Sequence, residues 1–86
     1  MKDYLEIKVS ENDVQNLGFN KACFLAYVRS VCKPNVFTQL TVSFVKEETG
    51  ILDSTQFRYF KQLEEEGYLE INHQTIPKTR YIKIIK

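Results

Sequence analysis

The segment Thr41 to Glu70, TVSFVKEETGILDSTQFRYFKQLEEEGYLE, constrains this chain more than any other. Apolar residues recur at helical spacing on both sides of Gly50. Gly67 ends the second run, and Tyr68, Leu69 and Ile71 then begin a strand. Gly50 suits the left-handed residue just past a helix end. Asp53 followed by Gln56 is close to a capping box and marks a second helix start. The pattern predicts a helix from about Thr38 or Gln39 to Thr49, a tight turn, a helix from Asp53 to Glu66, and a strand. Leu40, Phe44 and Val45 are the inward set of the first helix. Ile51 and Leu52, apolar although in a turn, are expected to plug the angle between the two helices.

The flanks extend this order. Leu5, Ile7 and Val9 alternate with Tyr4, Glu6 and Lys8, which predicts a short half-buried strand. A connector follows, with a helical turn around Val14 to Leu17. Asn20 is a suitable N-cap for a helix from Lys21 to Cys32. Phe24, Leu25, Val28, Val31 and Cys32 form its apolar face, with Arg29 and Ser30 off it. Lys33-Pro34-Asn35 turns the chain, and Val36 and Phe37 suit a very short strand. Beyond Ile71, a polar loop from Asn72 to Lys78 contains a proline and places His73 near its tip as a solvated residue. Thr79 to Ile85 then makes a return strand, so the chain closes on a β-hairpin. The expectation is a single α+β domain over residues 1–86.

Composition narrows the function classes. With 43% hydrophobic and 27% charged residues, the composition is that of an ordinary soluble globular protein and does not predict disorder. An 86-residue chain buries roughly 60% of its unfolded surface, enough for a modest core. No apolar run approaches the ~20 residues of a membrane span. The opening MKDYLEIKVS carries charges where a signal peptide needs an apolar stretch, so the expected location is cytoplasmic, away from membranes. Cys23 and Cys32 fall on opposite faces of one predicted helix, roughly 13 Å apart along its axis. That is too far for a disulfide. There is no CxxC and a single histidine, so neither a metal site nor a cofactor is indicated. No nucleophile–base pair or phosphate loop points to an enzyme.

Net charge is only +1, but it is unevenly spread. The basic excess lies in the tail, where Lys78, Arg80, Lys83 and Lys86 have no acid among them. Such a strip can meet phosphate. Stepping Ser54 to Glu66 by ~100° per residue puts Phe57, Tyr59, Phe60 and Leu63 on one arc. The opposite arc holds Ser54, Thr55, Arg58, Lys61, Gln62 and Glu65, with Arg58 near its centre. A one-residue rotation either way leaves Arg58 outside. Arginine can donate two hydrogen bonds to a guanine edge or bind phosphate, Gln62 and the hydroxyls of Ser54 and Thr55 can meet bases or backbone oxygens, and Lys61 adds charge. The acids Glu64-Glu65-Glu66 close the helix, so reading would fall to its amino-terminal half.

The run G-I-L-D-S-T-Q-F-R-Y-F-K-Q-L-E-E-E-G-Y-L-E-I resembles the recognition helix and first wing strand of bacterial and phage winged helix-turn-helix regulators. The likeness extends to the N-terminal domains of phage and plasmid replication organisers. IKVS…NLGFNKACFLAYVRSVCKP resembles their first strand and first helix. The resemblance implies a winged helix-turn-helix: a three-helix core with a C-terminal β-hairpin wing and a short N-terminal strand. It implies double-stranded DNA as partner, in transcription regulation or replication initiation. Carried over by position, Ser54, Thr55, Gln56, Arg58 and Lys61 fall where the family reads DNA, and Lys78 and Arg80 where its wing does. Three positions depart from the pattern. Gln56 stands where the family has a buried Val or Ile, Phe57 where it has a small polar residue, and Lys46 where it has a small one. Either the helix is rotated in its socket or Phe57 faces out and binds something other than a base edge. The alternative is a winged helix used for protein–protein contact, through a separate partner or a homodimer, with Phe57 and Tyr59 as anchors.

Overall fold

The computed structural model describes residues 8–74 and 77–86. Among these, the chain is α+β, with four α-helices and a three-stranded antiparallel sheet. They group into two units, one ending at Val31 and one running from Cys32 to Lys86. No described helix is long and apolar enough to cross a membrane.

The first unit holds α1 (Glu11–Leu17) and α2 (Phe19–Val31). Ser10 caps α1, its hydroxyl accepting from the Asp13 N–H at 3.4 Å. Asp13 is buried and accepts from Arg29 Nη1 at 2.6 Å, which ties α1 to α2. Asn20 is not the cap of the second helix. The Gly18 carbonyl accepts from the Ala22 N–H at 3.0 Å, so α2 starts at Phe19 and Asn20 lies inside its first turn. Gly18 has φ 84°, which lets two helices meet across a single residue. In α2, Phe24, Leu25 and Val28 are buried as expected, joined by Ala22, Ala26 and Tyr27. The strand expected over Leu5, Ile7 and Val9 lies mostly outside the described residues, and Lys8 to Ser10 are not in a strand.

The second unit contains β1 (Thr38–Gln39), α3 (Val42–Thr49), α4 (Asp53–Glu65), β2 (Leu69–Ile71), a 3-10 turn (Pro77–Thr79) and β3 (Tyr81–Ile84). Strand order is β1-β3-β2. Thr38 faces Ile82 and Leu69 faces Ile84, so β3 is the central strand. The short strand expected at Val36 and Phe37 therefore forms two residues later, where β3 offers pairing partners. Thr41 is the N-cap of α3, its hydroxyl accepting from the Phe44 N–H at 3.1 Å, so that helix starts later than its periodicity predicts. Gly50 takes the left-handed conformation, φ 76° and ψ 3°, and its N–H closes on the Lys46 carbonyl.

The core of this unit is built from Leu40, Val42, Val45, Phe60, Leu63, Leu69, Ile82 and Ile84, all buried. Two expected members are absent. Phe44 is 45% exposed and Leu52 61% exposed. The Thr41 cap sets the phase of α3 so that Val42 and Val45 point inward in place of Phe44. The turn is closed by a polar group, Gln56, so Leu52 is left in solvent.

Candidate functional site

The phase of α4 decides which side chains can meet a partner. Gln56, Phe60 and Leu63 are buried, an i, i+4, i+7 stripe. Phe60 and Leu63 match the arc read from the sequence. Gln56 replaces Phe57 at its edge, and Phe57 is left 37% exposed. The helix is thus rotated toward Gln56.

Gln56 is 0% exposed, and all its side-chain bonds are internal. Its Nε2 donates to the Ile51 carbonyl at 2.8 Å and to the Val42 carbonyl at 3.3 Å. Its Oε1 accepts from Arg80 Nη2 at 2.6 Å. Arg80 is itself only 2% exposed, and its guanidinium carbon lies 4.2 Å from the Phe60 ring centre and 5.8 Å from that of Phe57. Two residues expected to contact DNA, Gln56 and Arg80, therefore form an interior polar pair. The physical reason is the Ile51 carbonyl, a turn acceptor that needs a donor when buried. Gln56 also does not complete a capping box: the N-cap position is Leu52, and no side chain caps the amino end of α4.

The other candidates are placed differently. Ser54, Arg58 and Lys61 are exposed, and they fall within about 60° of one another around the helix axis. Thr55 and Gln62 are half-buried at the edge of this stripe. Arg58 rests over the Tyr59 ring at 5.5 Å, a contact that orders the guanidinium while leaving it in solvent. Lys78 is exposed on the 3-10 turn, which lies beside α3. The basic tail is not a free strip. Lys83 lies 3.7 Å from Glu70 and over Phe37, and Lys86 lies over Tyr68.

His73 is not merely solvated. Its Nε2 lies 2.9 and 2.8 Å from the two carboxylate oxygens of Glu64, and the Ile71 N–H donates to the same carboxylate at 3.1 Å. This joins the hairpin to α4. Nothing in the run Glu64-Glu65-Glu66 distinguishes Glu64 as that anchor, because only the return of β2 beside the helix selects it.

Burial pushes the Cys32 thiol up to about 11, while the Arg80 charge pulls it down more weakly. A thiol protonated at neutral pH is a poor nucleophile and a poor metal ligand. Among the described residues, no group of three His, Cys, Asp or Glu could hold a metal ion. Comparison with protein-family models, curated proteins and solved structures finds no match to this chain.

Proposed function

We propose that this chain binds duplex DNA as a small winged-helix protein, in transcription regulation or replication initiation, with α4 as the reading helix. The observation that carries the reading is the exposed stripe of Ser54, Arg58 and Lys61 opposite the buried Gln56, Phe60 and Leu63. The order α3, left-handed Gly50, α4, β2, β3 is that of a helix-turn-helix followed by a wing. Arg58 is the side chain best suited to a base edge. Lys61 and Lys78 supply phosphate contacts, and the amino end of α4 offers backbone N–H groups that no side chain caps. Glu65 lies on the same stripe near the carboxyl end, which directs contact to the first two turns.

Filter binding of short duplexes at two salt concentrations tests this reading. The expected result is retention that weakens with salt and falls with Arg58→Ala. Retention that ignores salt, or survives Arg58→Ala unchanged, would sink it.

A second reading draws on Phe44 and Leu52, exposed apolar side chains on α3 and its turn. They suit a protein partner rather than phosphate. Under this reading the chain is a winged-helix interaction module. Mutating Phe44 and Leu52 to Ser would then abolish partner capture while leaving any DNA retention intact.

A further inference from the structure

We propose that the cleft between α4 and the hairpin is a binding site for an uncharged planar aromatic molecule bearing an amide-type edge. A cavity of about 400 Å³ opens there. Small-molecule sites typically measure about 300–1,000 Å³ and are mostly apolar with a few polar groups at fixed places. Phe57, Phe60 and Ile71 make its apolar walls. Phe60 is buried, whereas Phe57 is 37% exposed and keeps a ring surface that a flat ligand removes from water.

The floor is held from inside. Arg80 is 2% exposed, its guanidinium carbon lies 4.2 Å from the Phe60 ring centre, and its Nη2 donates to Gln56 at 2.6 Å. Gln56 is in turn anchored to the Ile51 carbonyl. Arg80 thus supports the wall rather than meeting the ligand's polar edge. A base fixed in this way loses little freedom on binding.

The balance of charge selects a neutral ligand. Apart from His73, the charged side chains of the cleft are Lys61 and Arg80 against Glu64 and Glu65. The count is even for all four. It is also even for Lys61 and Glu65 alone, the two that are exposed. Neither sign is in surplus, so an ion entering between the apolar walls gives up hydration that no excess charge restores. Lys61 and Glu65 are four residues apart on α4 and therefore neighbours on its surface. They offer a donor and an acceptor side by side. A primary amide matches both at once, its carbonyl accepting from the Lys61 ammonium and its N–H donating to the Glu65 carboxylate. The ring then lies between Phe57 and Ile71.

The test uses the full chain, nitrogen-15 labelled, at about pH 8, above the range in which histidine ordinarily titrates. The probes are indoleacetamide, indoleacetate and tryptamine, which share a ring and are neutral, anionic and cationic in turn. The expected result is saturable shifts in the amides of Phe57, Lys61, Ile71, Asn72 and His73. Indoleacetamide should bind at least about threefold more tightly than either ion. Glu65→Gln should shift the preference toward indoleacetate and Lys61→Gln toward tryptamine, because each leaves one opposite charge unmatched. Both side chains are exposed, so these variants should keep the fold. Phe57→Ala should abolish the shifts while keeping a dispersed spectrum. No saturable shift at millimolar probe, an ion bound as tightly as the amide by the parent chain, or shifts centred elsewhere would each overturn the proposal. The outcome does not depend on DNA binding.

Discussion

Arg80 Nη2 donates to Gln56 Oε1 at 2.6 Å, joining the residue just before β3 to the first turn of α4 in the protein interior. Gln56 relays the link to the turn through the Ile51 carbonyl. Gln56→Ala removes the partner of a buried charge and the donor to a turn carbonyl together. Hydrogen bonds to charged groups contribute about 1.5–3 kcal/mol each, so a loss near the upper end is expected. Urea unfolding measures it, and a loss under about 0.5 kcal/mol, the range of an ordinary surface substitution, contradicts the relay.

Arg58→Ala should separate binding from folding. Arg58 is exposed and touches mainly the Tyr59 ring, so stability should change by no more than about 0.5 kcal/mol. Under the DNA-binding reading, affinity for duplex should fall by about 1–3 kcal/mol if the side chain reaches a base edge. If it reaches only phosphate, the loss should be uniform across sequences and the salt slope should drop by about one. Affinity and melting temperature measured on the same variant distinguish these outcomes.

Leu63 and Leu52 make a matched pair. Leu63 is 0% exposed and Leu52 is 61% exposed, although both are leucines within one helix-turn segment. Leu63→Ala should cost about 2–5 kcal/mol through lost burial and a cavity, and Leu52→Ala about 0.5 kcal/mol or less. Similar losses at the two sites in denaturant unfolding would mean that the turn packs differently.

Gly50→Ala isolates the backbone. At φ 76°, a side chain is strained, yet an added Cβ would meet nothing within 4 Å. The expected cost is the conformational one alone, about 1 kcal/mol, with Gly50→Asn costing less because asparagine tolerates this region better. Equal losses for Ala and Asn would point to a steric cause.

Cys32 gives a pH dependence with a definite sign. Its thiol loses a proton near 9.0 in the unfolded chain and near 11 in the fold. Below 9.0 both states hold the proton, and this group contributes no pH dependence. Between 9.0 and about 11 the unfolded state loses it first, so stability falls as pH rises. The full loss is of the order of 2 kcal/mol. Cys32→Ala should flatten that part of the curve relative to the parent protein. At pH 8, a thiol reagent should modify the half-buried Cys23 well before the buried Cys32.

Local patterns in the sequence determined where α4 and β2 lie and where α3 ends, because these depend on near neighbours, whereas β1 and the start of α3 fell later than those patterns placed them. Gly50 and Gly67 each stop a helix at a positive φ. The alternation after Gly67 marks β2, and the 3.6-residue period places Phe60 and Leu63 inward whatever packs on them. Arg58 stays outside for the same reason, lying most of a half-turn from the buried stripe. Contacts between distant positions could not be read this way. Gln56 and Arg80 are 24 residues apart. Each is polar and looks like a surface residue until the fold places a buried carbonyl and two aromatic rings around it. The anchoring of His73 by Glu64 and the exposure of Phe44 and Leu52 have the same origin. A side chain's period sets its direction, but only the neighbour at the end of that direction decides whether it meets solvent, a partner or the core.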